Sequence, residues 1–264
     1  MSILDSIITT SPGAPRITVF GVPGIGKSTL AASFPDPLFI LTEDNEVSNI
    51  RALPVAHSFN EIWKNIKGLL AEEDLPFKTI VIDSISKLDN LIVDYILDNE
   101  PVGKNGQKPS TLNAACGGYG AGVLKAASIH QAVKSLMDKF KDRGICVVYV
   151  GHVGVIKHKA PDMEDYDRYS ITMNHDKSRA VYIDDTDAVL FCKLKSFVTE
   201  SDSGRNMVRS TSDRIIITGV SDAHVSKNRF NMPNEIPMNF SSVAEHIPFF
   251  KEQQCQTEKK LNAK

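Results

Sequence analysis

One stretch limits the possible folds more than any other: RITVF followed at once by GVPGIGKST, residues 16–29. The short apolar run reads as a strand, the glycine-rich piece as a tight turn, and a helix is expected from Lys27 to about Ser33. Gly21, Gly26, Lys27 and Ser28 stand at the fixed positions of G-x-x-x-x-G-K-[ST]. Glycines there let the chain curl until successive amides face a phosphate. The lysine reaches the outer phosphates, and the serine hydroxyl ligates Mg²⁺. The expected nucleotide cradle is therefore Gly21, Val22, Pro23, Gly24, Ile25, Gly26, Lys27, Ser28 and Thr29, with ATP and Mg²⁺ as cofactors. From average residue usage the pattern arises by accident in a chain this long on the order of 1% of the time.

Strand and helix patterns alternate along the rest of the chain. PLFILT (37–42), TIVID (79–83) and ICVVYVG (145–151) read as buried strands. Ser58 with Glu61 makes a capping box that opens a helix to about Glu72, and a further helix is expected after Asp83 to about Asn99. Ile129, Val133, Leu136, Met137 and Phe140 share one helical face. Residues 100–122 and 152–179 read as two long loops, and 179–195 and 213–220 as hairpin material closing the sheet. The expected class is α/β: a mainly parallel twisted sheet with helices on both faces and a C-terminal antiparallel hairpin extension. One domain over 15–250 is expected. Ahead of it, residues 1–14 carry an apolar stripe (Ile3, Leu4, Ile7, Ile8) able to contact another protomer; residues 251–264 form a polar tail expected to be disordered.

The formal net charge of −2 excludes a broadly basic protein, so any nucleic-acid contact must come from a local cluster of cations. Cys116, Cys146, Cys192 and Cys255 show no metal spacing, which fits reduced thiols of a cytoplasmic protein. The N-terminus has no signal-peptide pattern, and no apolar run is long enough to span a bilayer, so no membrane partner is expected.

TIVIDS supplies the second half of a nucleotide site. Asp83, at the end of a buried strand, is where a water bound to Mg²⁺ is held, so Ser28 and Asp83 are the expected metal residues. Ser84 follows Asp83 where AAA+ relatives carry the glutamate that polarises the attacking water. The base must come from elsewhere, and Glu43 in FILTED is the candidate, on the expectation that its strand lies beside the P-loop strand. No LSGGQ and no NKxD stretch is present, which argues against transporters and ordinary GTPases.

With GVPGIGKSTL, FILTED, TIVIDSISKL, YGAG opening a helix, VVYVGH and SKNRF in this order over about 16–235, the chain resembles the RecA-like P-loop ATPases. More narrowly, it resembles phage-type nucleotide-binding proteins grouped with single-strand annealing and recombination. The resemblance implies that His152 senses the γ-phosphate and signals to a neighbouring loop. It implies that Lys227 and Arg229 of SKNRF enter the next subunit's ATP site, which makes Glu43, Lys27, Lys227, Arg229 and His152 the catalytic set. It further implies that the loops at 100–122 and 152–179 grip single-stranded DNA, with Lys104, Lys108, Lys157, Lys159 and Arg168 as the cations. Tyr166, Arg168 and Tyr169 have a second possible role there, ordering the loop against the ATP site.

The leading expectation is an Mg-ATP-binding protein of DNA recombination or single-strand annealing, assembled on single-stranded DNA as a ring or filament under ATP control. A single-strand-binding protein is a possible partner, and the host cytoplasm is the place if the source is a phage. ATP hydrolysis is expected to be slow and DNA-stimulated, with binding alone left open. The alternative is an ATP-dependent switch that binds protein partners without DNA. A small-molecule P-loop kinase would leave SKNRF unexplained.

Overall fold

The computed structural model describes residues 12–44, 47–101, 107–161, 163–200 and 206–252. Residues 1–11 with the apolar stripe, Lys104, and the tail from 253 onward, including Cys255, lie outside the described residues.

Successive side chains of the central strands enter two different cores. In β1 (Arg16–Gly21), Ile17 and Val19 face one core and Phe20 the other. The same alternation separates Val81 from Ile80 and Ile82 in β4 (Thr79–Asp83), and Val148 and Val150 from Val147 and Tyr149 in β5 (Cys146–His158). A sheet apolar on both faces is stable only with helices on both. One face is covered by α2 (Phe59–Ala71), α3 (Ile85–Asp98) and α4 (Ala121–Asp142), the other by α1 (Lys27–Ala32) and α6 (Phe240–Ala244). Ser58 caps α2 by accepting from the Glu61 amide at 3.3 Å, and Glu61 reaches back to the His57 amide at 2.8 Å. The expected stripe of α4 is present: Val133, Met137 and Phe140 are buried, with Ile129 and Leu136 packed against them.

The sheet runs β10-β8-β7-β1-β5-β4-β2-β3, with β2 at Pro37–Leu41, β3 at Arg51–Ala52, β7 at Ala188–Glu200, β8 at Asn206–Ile217 and β10 at Glu235–Pro237. From β7 through β3 the neighbours are parallel; β8 and β10 add antiparallel strands at one edge. Parallel central strands with the antiparallel pair at the C-terminal side bear out the expected class.

Three expectations need correction. First, β2 does not lie beside the P-loop strand: β5 pairs with β1, β4 with β5, and β2 with β4. Second, residues 152–179 are not one loop. β5 continues past His152 to His158 and turns back as β6 (Tyr166–Ile171), after which α5 (Asp176–Val181) follows. The polar look of this hairpin comes from its leaving the sandwich of helices, so neither face needs the apolar run of a core strand. Third, the stretch 179–187 begins in α5 and a turn; the strand starts only at Ala188. Among the described residues no helix is long and apolar enough to cross a membrane.

Candidate nucleotide site

The P-loop leaves β1 where that strand is most crowded. A Cβ on Gly21 would collide with the Cys192 carbonyl oxygen of β7, so only glycine fits between the strands there. Gly26 caps α1 with φ of 101°, a left-handed conformation that glycine adopts without strain. The Lys27 ammonium donates to the Gly21 and Val22 carbonyls at 3.0 and 3.1 Å, inside the loop it belongs to. Burial lowers the Lys27 pKa from the ordinary lysine value, and Cys192, Asp83 and Glu43 oppose the shift.

Asp83 ends β4 one hydroxyl away: Ser28 Oγ donates to Asp83 Oδ2 at 2.6 Å. Burial holds the Asp83 carboxyl above the usual carboxylate range, against the hydrogen bond from Ser28. Among the described residues no group of three or more His, Cys, Asp or Glu converges as a metal cluster. The Ser28 hydroxyl and Asp83 carboxylate nevertheless suit Mg²⁺, which takes hard oxygen donors from one or two residues and completes its shell with water and phosphate.

Glu43 reaches the same cleft from just past the end of β2, which β5 and β4 separate from β1. Its carboxylate accepts from His152 Nε2 at 2.9 Å; because a carboxylate only accepts, the ring proton sits on Nε2. That bond holds Glu43 below its ordinary value, although partial burial pushes the other way. Two staples fix the geometry. Thr42 Oγ1 donates to the Ser84 carbonyl at 2.9 Å and accepts from the Ser84 amide at 2.8 Å, tying the end of β2 to the turn after β4. Ser86 Oγ accepts from the His152 amide at 3.0 Å, tying α3 to β5. Neither staple has a sequence signature, because each joins residues dozens of positions apart.

Lys27, Thr29, Glu43, Asp83 and His152 together line a cleft of about 390 Å³. A second hollow of about 420 Å³ shares Gly26 and Thr29 with it and is walled by Ile25, Leu30, Arg214, Met238 and Phe240. No local sequence pattern marks these last three, which β8, the residue after β10 and the start of α6 bring in from far along the chain.

Lys227 and Arg229 do not line the cleft. β9 (Lys227–Asn228) pairs with Val189 and Ala188 at the start of β7, whereas Gly21 is level with Cys192. Three residues of strand separate the level of Lys227 from that of Gly21, about 10 Å at the usual rise. Lys227 Nζ donates to the Ile183 and Asp184 carbonyls, and Arg229 pairs with Asp187 at 3.2 Å. Both cations thus meet the 183–187 turn at the far end of the sheet.

Among the described DNA candidates, Lys157, Lys159 and Arg168 line one cavity beside the hairpin, and Lys108 stands apart. Lys108 donates to the Asp98 carbonyl at the end of α3. On the hairpin, Lys157 lies opposite Asp167 and Arg168 opposite Ile156, so Lys157 and Arg168 point to opposite faces. Lys157 also pairs with Asp165 at 3.7 Å. Tyr169 stacks on Phe191, which stacks on Phe20 just ahead of the P-loop, so this tyrosine docks the hairpin on the core.

A phosphate-sized loop, a buried carboxylate one hydroxyl away and the strand order β7-β1-β5-β4-β2 define a RecA-like P-loop ATPase core. The chain belongs to a family of AAA domains, whose profile matches residues 14–230. Among solved structures it is similar to a KaiC-like protein from the hyperthermophilic archaeon Pyrococcus horikoshii OT3, at 12% identity and a TM-score of 0.37 over 78% of this chain and 79% of that one. No curated protein matches the sequence.

Proposed function

We propose that the protein is a Mg-ATP-dependent ATPase that binds single-stranded DNA as an ATP-controlled oligomer, in recombination or strand annealing. The observation that carries this reading is the Glu43–His152 contact, placed where β5 leaves the core and becomes the hairpin bearing Lys157, Lys159 and Arg168. A phosphate at the cleft and a polyanion on the hairpin would act on the same strand from its two ends.

The P-loop amides and Lys27 would hold the phosphates, with the nucleoside lying over Gly26 and Thr29 against Met238, Phe240 and Arg214. Mg²⁺ entering with ATP, held by Ser28 and through water by Asp83, would offset charge on the outer phosphates. Glu43 would orient a water for in-line attack on the γ-phosphorus; the bond to ADP breaks and the water's proton leaves through the carboxylate. Held by His152, Glu43 is a weak base, so proton removal would follow release of that bond. Were His152 to turn to a phosphate oxygen, Glu43 would regain basicity when phosphate is in place. Lys227 and Arg229 of a second copy would neutralise charge at the γ-phosphate, so turnover would need assembly.

The test is ATPase rate and oligonucleotide binding from about 50 to about 200 mM salt, where phosphate contacts predict a steep loss of affinity. A protein that binds no oligonucleotide at the low-salt end refutes the DNA part. One observation favours a DNA-free switch instead: Asp165 and Asp167 sit against Lys157 and reduce the hairpin's positive charge. That reading expects a turnover rate indifferent to oligonucleotide.

A further inference from the structure

Between the β5–β6 hairpin and α5 lies a cavity of about 450 Å³ that shares no lining residue with the nucleotide cleft. The hairpin register sets its wall. Gly154 is opposite Ser170 and Ile156 opposite Arg168, so Ser170 and Arg168 share a face, and glycine leaves the serine uncovered from the partner strand. Ser170 is 0% exposed, lines the cavity, and its hydroxyl has no hydrogen-bond partner. Arg168 Nε is likewise buried and unpartnered, and the Arg168 side chain makes no hydrogen bond or ion pair with any described residue.

The opposite wall is fully committed. Arg179 donates to the Ile171 carbonyl at 2.7 Å and the Met173 carbonyl at 3.1 Å, and it pairs with Asp176. Arg179 therefore pins α5 to the end of β6 and holds one of the two nearby carboxylates. Lys157, Lys159 and Asp184 complete the charged lining. A buried hydroxyl and a buried guanidinium edge, both without partners, are uncommon in a folded chain and need a reason.

We propose that this cavity is a second phosphate site, in which Arg168 and Ser170 grip a phosphate group and Lys159 closes over it. A planar fork of donors with a hydroxyl and an ammonium offers hydrogen bonds from three directions, which a tetrahedral oxyanion satisfies. The phosphate comes from either a small phosphorylated compound or a nucleic-acid strand, and the site does not need the DNA reading to exist.

The experiment uses the full chain carrying Lys27→Ala, which silences the nucleotide cleft. Pyrophosphate is titrated calorimetrically, and a labelled single-stranded oligothymidylate is followed by anisotropy. At least one probe binds saturably, and Arg168→Gln or Ser170→Ala weakens that probe by about tenfold, the scale of one hydrogen bond to a charged group. Lys139→Gln, on the exposed side of α4 and outside the cavity lining, leaves pyrophosphate binding unchanged. Neither Arg168→Gln nor Ser170→Ala lowers the melting temperature, since neither side chain has a partner to lose. Binding of pyrophosphate alone supports the site with a small phosphate as its source while removing the DNA reading. Oligonucleotide binding that depends on Arg168 supports it with a strand as the source. If no probe binds, or if every probe that binds ignores both substitutions, the proposal is overturned, and oligonucleotide binding of that indifferent kind leaves the DNA reading standing.

Discussion

At the C-terminal ends of β1, β4 and β2, the side chains of Lys27, Ser28, Asp83, Glu43 and His152 converge on one open cleft. At the N-terminal end of β7, Lys227 and Arg229 are instead tied to the 183–187 turn of their own chain. One end of the sheet is arranged to take phosphate, and the other carries cations with no phosphate within their chain's reach. The difference teaches that Lys227 and Arg229 do not serve the grip of their own chain; under the proposed function they would act on the cleft of a second copy.

Removing the far-end cations tests that seam most severely. Arg229→Ala or Lys227→Ala should lower ATP turnover by about 10³–10⁵ with ATP affinity kept, the range known for fingers supplied in trans. Mixing Arg229→Ala with Lys27→Ala should restore part of the rate, because some seams then pair an intact cradle with an intact finger. Unchanged turnover in Arg229→Ala would break the comparison outright.

At the cleft end, Glu43→Gln should lower kcat by about 10²–10⁴ while ATP still binds, as for loss of a general base. His152→Ala, which leaves no donor for the Glu43 carboxylate, sharpens this by its pH profile. The bond from His152 depresses Glu43, so ionised Glu43 persists to lower pH in the wild type. Without that bond the carboxyl of the free protein rises toward its ordinary value, and the acidic limb of kcat/KM should move to higher pH.

A smaller effect is expected beside the P-loop. Phe240→Ala or Arg214→Ala should raise KM for ATP by about tenfold with kcat little changed, because they would hold the nucleoside equally in ground and transition states. Steady-state kinetics with ATP separates this from a catalytic loss.

The smallest effect is one of stability. Burial raises the Asp83 pKa, so the ionised carboxylate costs the fold stability above that pKa, and the cost disappears as pH falls through it. Asp83→Asn should therefore raise the thermal midpoint of the nucleotide-free protein at neutral pH, by an amount that shrinks on acidification. A midpoint that falls at neutral pH would mean that the Ser28 contact outweighs burial.

Much of the fold and part of the site could be read before any coordinates. The P-loop, Asp83 after its apolar strand, the Ser58–Glu61 cap and the stripe of α4 are all short-range patterns, repeating at the period of one element or fixed by one turn. Glu43 is expected at the cleft because its strand should lie beside β1; the strand is next to β4 instead, and the Thr42–Ser84 staple is what brings Glu43 to the cleft. Arg214, Met238 and Phe240 carried no signal, because nothing local distinguishes them from other residues of edge strands and short helices.

The sequence by itself determined where a phosphate would be gripped and that a parallel sheet would present the grip, since backbone curl and alternating burial are decided within a few residues. Only the tertiary structure decided that 152–171 leaves the core as a hairpin, that β5 separates the two motif strands, and that Lys227 and Arg229 lie at the opposite end from Lys27. These are pairings between segments far apart in the chain, fixed by which strands share hydrogen bonds and which faces are left for helices to cover.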